Sequence, residues 1–211
     1  MTPKQQYYGT ICNRAVEALN KRGFQAWYCE DKKSALEKAL SLISEEASVT
    51  WGGSVTLDEI GLIDALKSGN YNALDRTLAK DADERKEMYR KAFYCDWYLC
   101  SANAVSLNGE IINIDGTGNR VAAMMYGPDN VLLVVGANKL ELTEEIALSR
   151  ARNIASPINA ARFNTDTPCN KVGSCMDCLS DESICSYITI TRKCKPKGRI
   201  KLIIVGEDLG F

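Results

Sequence analysis

Histidine is absent from this sequence. That absence excludes a Ser-His-Asp or Cys-His catalytic pair, a His₃ zinc site and an HExxH metal helix. Acid–base chemistry near neutral pH falls to Glu, Asp, Cys, Lys or Tyr, and a soft-metal site must be built mainly from thiolates. A surplus of charge is absent too: 26 Lys and Arg stand against 27 Asp and Glu. Without a basic footprint, no nucleic-acid partner is expected. The most basic stretch, Arg192 to Arg199, is short and reads as a solvated turn. No run approaches the roughly 18 uninterrupted apolar residues of a membrane span. The N-terminal residues lack an apolar signal core, so a cytoplasmic protein is expected. Cysteine, by contrast, is plentiful, at nine of 211 residues. In a reducing compartment those thiols are expected to be free, catalytic or metal-bound rather than disulfide-paired. The length suits one domain, residues 1–211.

Helical and strand patterns alternate along the chain. Thr2-Pro3 opens a helix with apolar residues at Tyr7, Ile11, Ala15 and Leu19, and Gly23 stops it. Residues 24–29 read as a strand, and Asp31 caps a helix through Ile43. Ser48 to Trp51 is a short strand. Thr56-Leu57-Asp58-Glu59 after it is a capping-box pattern, with Thr56 as cap and Glu59 reaching back. Residues 70–82 look turn-like, and Asp81 or Asp83 caps a helix through Phe93. Strands follow at 97–100, 110–114, 131–135, 187–191 and 200–205, with helices at 118–126 and from Thr143 to Ile154, the last ended by Ser156-Pro157. This order predicts an α/β fold: three layers, with a Rossmann-like, mostly parallel sheet between helices, plus a Cys-rich C-terminal loop.

Two glycine-rich turns carry candidate binding groups. Gly52-Gly53-Ser54-Val55-Thr56 joins a strand to a helix start, where backbone amides and the Ser54 and Thr56 hydroxyls are able to face an anion. A plain strand–helix turn explains it as well. The second turn, Asp115-Gly116-Thr117-Gly118-Asn119-Arg120, follows a strand, and ligands bind at the C-terminal edge of open α/β sheets. Asp115 is a candidate to accept hydrogen bonds or orient Arg120, and Arg120 to grip a carboxylate or phosphate. Turn chemistry with a structural ion pair is the competing account. Lys139 follows the apolar strand 131–135 on the same expected edge and adds positive charge. Candidate ligand residues are thus Gly52, Gly53, Ser54, Thr56, Gly116, Gly118, Asn119, Arg120 and Lys139. Candidate acid–base residues are Glu59 and Asp115, although the capping box also accounts for Glu59.

The cysteines separate by spacing. Cys169, Cys175, Cys178 and Cys185 fall within 17 residues around a C-x-x-C pair, in the segment 165–195. Such a pair places two thiolates on one turn, and flanking cysteines complete a shell. Three accounts stand: a metal or iron–sulfur site, a redox disulfide or thiol switch, and unliganded buried cysteines. Structural zinc usually shows two paired knuckles. One pair between two single cysteines favours an iron–sulfur cluster, [4Fe–4S] with four thiolates, over zinc. Cys12, Cys29, Cys95 and Cys100 lie in expected helices or strands and read as core residues. Cys194 is a spare.

Taken in order, several runs resemble one family. They are Trp51 to Gly61, Ser101 to Val105 with Asn108 to Arg120, Gly127-Pro128, Val135-Gly136 with Asn138-Lys139, and Pro157 to Asn159 with Arg162. Thr167-Pro168-Cys169, Gly173-x-Cys175-x-x-Cys178 and Leu209-Gly210-Phe211 complete the set. The chain is similar in these to the LUD (lactate utilization) domain family. The resemblance implies the fold of the CoA-transferase, ribose-5-phosphate isomerase and glucosamine-6-phosphate isomerase superfamily. It also implies a place near lactate oxidation, with iron–sulfur or flavin redox partner proteins. This short chain lacks the two-cluster ferredoxin repeats of the larger iron–sulfur subunits. The expected function is therefore binding of a small anionic metabolite and a Cys-ligated cluster or metal, in redox metabolism of lactate or a related acid. Two rivals are a CoA-thioester or sugar-phosphate enzyme without a redox role, and a non-catalytic sensor or assembly module with structural zinc.

Overall fold

The computed structural model describes residues 1–211. Ten strands and nine α-helices alternate. In chain order they are α1 (Pro3–Lys21), β1 (Gln25–Cys29), α2 (Lys32–Leu42), β2 (Ser48–Trp51), α3 (Val55–Glu59), α4 (Leu62–Ser68), β3 (Asn72–Leu74) and α5 (Ala82–Lys91). There follow β4 (Trp97–Cys100), β5 (Ala104–Ser106), β6 (Ile111–Asp115), α6 (Asn119–Met125), β7 (Asn130–Gly136), β8 (Leu140–Glu141) and α7 (Glu144–Arg150). The chain ends with α8 (Ser156–Phe163), α9 (Pro168–Val172), β9 (Tyr187–Thr191) and β10 (Ile200–Val205).

Six strands form one parallel sheet in the order β1-β10-β7-β4-β2-β3. Its centre is β7 beside β10, where Val131 to Val135 and Leu202 to Val205 are fully buried. Continuous apolar runs are what a sheet covered on both faces requires. Side chains alternate between two cores. Val131, Leu133 and Val135 join Cys12, Ala15 and Leu19 of α1 and Met124 of α6 on one face. Leu132 and Val134 join Ala35 and Ala39 of α2 and Leu57, Ile63 and Leu66 of α3 and α4 on the other. The three-layer α/β expectation is met.

The remaining strands make a second sheet, β8-β5-β6-β9, in which β6 runs antiparallel to both neighbours. This sheet stands beside the expected parallel one and is not foreseen from the sequence as a separate sheet. Residues 111–115 are short and apolar like a buried parallel strand, but β5 feeds them through a turn of only Leu107 to Glu110, too short for a parallel crossover. One face of this sheet joins the first core through Val105 and Ile111. Ile112 and Ile114 pack on Ala147 and Ala151 opposite.

Four local expectations change. Ser54, not Thr56, caps α3, its Oγ accepting from Leu57 N at 3.4 Å. The expected turn at 70–82 contains edge strand β3. Ser156-Pro157 does not end a helix: a π turn over Ala151–Ala155 leads straight into α8, with Pro157 in its first turn. Pro157 has no N–H to donate back into that turn. In the basic stretch, Arg199 is no solvated turn residue, because its guanidinium donates to the carbonyls of Ala123, Met124 and Pro128 at the end of α6. Cys12, Cys29 and Cys100 are buried as expected, while Cys95 is partly exposed. Cys194 joins the first core, its Sγ accepting from Ile200 N at 3.3 Å. No helix is long and apolar enough to cross a membrane.

Leu133 lies at the centre of the sheet with no exposure. Leu133→Ala is expected to cost about 2–5 kcal/mol through lost burial and a residual cavity. Urea unfolding of the two proteins reads this as a lowered midpoint with an unchanged slope.

A cationic basin at the strand ends

The parallel strands all point their C-terminal ends to one edge, and a cavity of about 260 Å³ opens there. Gly53, Ser54 and Thr56 follow β2, Arg76 follows β3, Ser101 and Asn103 follow β4, and Lys139 follows β7. Gly210 and Phe211 arrive after β10. The second sheet contributes Asp115, Gly116, Asn119 and Arg120, and α8 contributes Asn159 and Arg162. Four cationic side chains thus line the cavity with one carboxylate, Asp115.

The cations differ in how far they are committed. Arg120 donates to Ser101 O at 3.2 Å, Asn103 Oδ1 at 3.0 Å and Ile114 O at 2.6 Å, and its Nε lies 3.6 Å from Asp115. Asp115 also accepts from Gly118 N and Val121 N at the start of α6. These two residues therefore act chiefly as a knot in the turn, the structural account that competed with ligand binding. Arg76 makes one bond, from Nη1 to Trp51 O at 3.1 Å, and Arg162 stacks on Phe163 at 4.5 Å. Neither takes part in an ion pair. Both reach Gly53, where a Cβ would stand 2.9 Å from Arg76 Nη2 and 3.7 Å from Arg162 Nη2. Burial lowers the Arg162 pKa, Asp58 opposes that, and the like charge of Arg76 adds to it. Two forked donors, neither in an ion pair, converge here as a candidate anion site, with Asp58 near enough to act on Arg162.

Lys139 is buried, and its Nζ donates to Thr56 Oγ1 at 2.9 Å and Ser101 Oγ at 3.1 Å. Burial lowers its pKa to about 7; Arg150 and Arg120 add to the fall and Glu59 opposes it. Asn159 Oδ1 is a buried acceptor with no partner. A ligand hydroxyl or N–H in the basin supplies what that oxygen lacks.

Of the residues expected from sequence, Gly53, Ser54, Thr56, Asp115, Gly116, Asn119, Arg120 and Lys139 line the cavity, and Gly52, Gly118 and Glu59 do not. Gly52 extends the sheet, its N–H donating to Leu99 O, and Gly118 is the left-handed residue before α6. Glu59 makes no capping box; its Oε2 accepts from Gly210 N at 2.7 Å and holds the C-terminal residues in place. The five-residue α3 is capped by Ser54 itself, so its N-terminus is not a ready anion cradle. Reading the glycine turns missed Arg76, Ser101, Asn103, Asn159 and Arg162 as wall residues. The available signal was position: Arg76 and Ser101 each stand just past a strand end.

The Cys-rich segment forms part of the wall. Ile184 lines the cavity and its main chain packs over Gly116. Residues 173–186 contain no helix or strand, and all nine cysteines are free. Burial raises the pKa of Cys185, a hydrogen bond from Ser156 opposes this, and Cys169, Cys175 and Cys178 add to the rise through their charges. Cys185 is thus within electrostatic reach of the other three thiols. No three Cys, Asp or Glu side chains approach closely enough to share one metal ion, so they form no closed tetrahedral shell of the kind zinc takes, with Zn–S near ~2.3 Å.

The sequence matches the family model described as the LUD domain over residues 12–205. Among solved structures, the chain is similar to a DUF162 family protein from Deinococcus radiodurans, at 11% identity and a TM-score of 0.53, over 94% of this chain and 97% of that one. At that identity the likeness concerns the fold alone. Similarity to eIF2B delta from Chaetomium thermophilum, at 15% identity, a TM-score of 0.38, and 69% and 59% coverage, carries no argument. No curated protein matches the sequence.

Lys139 sets a sign for the pH dependence of stability. Its pKa falls from 10.5 to about 7 on folding, so between those values the unfolded chain binds more protons. Stability contributed by this residue rises with pH across that window and is flat below it. Lys139→Met is expected to flatten that rise and to gain stability near neutrality. Urea midpoints of both proteins at about pH 7 and about pH 9.5 measure it.

Proposed function

The chain belongs to the LUD domain family, and on that footing we propose that its cationic basin binds a small organic acid of the lactate type, in redox metabolism of that acid. The observation that carries this reading is the convergence of Arg76 and Arg162 on Gly53 with no carboxylate paired to either. A carboxylate takes the two forks. Asn159 Oδ1 accepts from a hydroxyl on the neighbouring carbon, and Arg120 adds a positive field. The cavity, about 260 Å³ and open to solvent on one side, accommodates a small acid.

The donor set of Cys169, Cys175, Cys178 and Cys185 suits an iron–sulfur cluster, whose iron atoms spread the thiolates more widely than a single zinc ion does. Bound there, it would supply one-electron transfer to or from the neighbouring basin, with an iron–sulfur or flavin protein as redox partner. The spacing of the four cysteines and the shared wall at Ile184 support this assignment.

Calorimetric titration with lactate tests the basin. Binding is expected to weaken by about tenfold or more in Arg162→Gln and in Arg76→Gln, since a hydrogen bond to a charged group contributes ~1.5–3 kcal/mol. Unchanged affinity in both variants, or tight binding of a sugar phosphate instead, would displace the reading. Iron and sulfide analysis of anaerobically purified protein tests the cluster. Both elements and a broad visible absorbance are expected, with loss of both in Cys178→Ser. Zinc alone would sink electron transfer and favour the structural-module alternative.

A further inference from the structure

The amine of Lys139 has no assigned task in that reading. It is buried at the wall of a basin shaped for a carboxylate, and no carboxylate pairs with it. Its two contacts, Thr56 Oγ1 and Ser101 Oγ, are both hydroxyls. Ser101 Oγ also donates to Val134 O at 2.7 Å, and Thr56 Oγ1 lies 3.5 Å from Leu209 O. Nζ is the donor to both hydroxyls. A neutral amine has two N–H bonds, and two acceptors engage both, which leaves the lone pair as the remaining direction on nitrogen. At Gly210, a Cβ would stand 3.2 Å from Nζ and 2.5 Å from Thr56 Oγ1, so glycine keeps the approach open.

We propose that Lys139 is a nucleophilic amine that condenses with the keto carbon of a short 2-oxo acid held in the basin, forming an imine. The proposal rests on the organic-acid reading of the basin and adds a covalent step to it. Guanidinium groups hold the carboxylate and so present the adjacent carbonyl carbon to the amine. The lone pair attacks that carbon, and the carbonyl oxygen leaves as water with the two amine protons. The new C=N bond replaces C=O, with no change of oxidation state. Ser101 is the weaker nucleophile here, because its hydroxyl proton is committed to Val134 O.

Such an amine must be uncharged near neutral pH. Burial brings the pKa down to about 7, so a large share of the amine is uncharged at neutral pH, with Arg150 and Arg120 adding to the effect and Glu59 opposing it. Desolvation beside other cations is a recognised way to activate a lysine for carbonyl chemistry.

Pyruvate with sodium cyanoborohydride tests the step in the intact protein. The reductant converts an imine into a stable secondary amine, which peptide mass mapping locates. The expected result is one adduct per chain on Lys139, formed on the order of a thousandfold faster than at exposed lysines at neutral pH, given the difference in free-amine fraction. Lactate, which has no keto group, should protect the site. Gly210→Ala should slow trapping. Because the wild-type protein reports the site directly, the result does not depend on Lys139→Met folding. Pyruvate binding by calorimetry without an adduct, or adducts scattered over surface lysines, overturns the imine and leaves the basin reading intact. Absence of binding for both lactate and pyruvate overturns both.

Discussion

The side chain of Arg120 reaches from the start of α6 to acceptors in two sheets: Ser101 O after β4, Asn103 Oδ1 before β5 and Ile114 O in β6. Asp115 holds the same guanidinium from the other side and gathers the amides of Gly118 and Val121. Buried carbonyls at a strand end must find donors, and here one planar fork serves three segments. The second sheet is fixed against the edge of the first by this knot. Every wall that β6, α6 and the Cys-rich segment give to the basin depends on that placement.

Around the knot, the basin follows from chain direction. Parallel strands deliver their exits to one edge, so loops distant in sequence meet there. Lys139 ties three of them together, through Thr56 after β2 and Ser101 after β4. The C-terminal residues close the fourth side, with Gly210 held by Glu59 and Leu209 N bonded to Asn138 Oδ1. The charge distribution divides along the same lines. Arg120 is used in holding the architecture, while Arg76 and Arg162 keep most of their donors free.

Much of the main sheet is legible in the sequence because its central strands are uniformly apolar and its helices carry caps. Val131 to Val135 has no other stable place than a doubly covered sheet. The second sheet is less legible, since Ile111 to Asp115 reads the same whether its neighbours are parallel or antiparallel. Pairing is a property of distant partners, here Tyr187 to Thr191. At the site, the turn from Asp115 to Arg120 and the position of Lys139 follow from local pattern. Arg76 and Arg162 do not, because a long side chain carries its charge far from its backbone and no spacing rule records the direction. Glu59 shows the opposite error: a motif that fits a helix start by type is engaged instead by Gly210, 151 residues away. The cysteine spacing locates the thiols, and the fold adds that Ile184 joins them to the basin wall.

A chain without imidazole still needs a group that changes charge near neutrality if its chemistry involves protons. Burial has made one out of lysine. Two hydroxyl acceptors engage Nζ in either protonation state, and only the charged form has a third N–H left to offer. An anion entering the basin brings negative charge beside that amine and raises its affinity for a proton. Non-covalent binding of an acid there draws hydrogen ions from solution, and the apparent heat of association then varies with the ionisation enthalpy of the buffer.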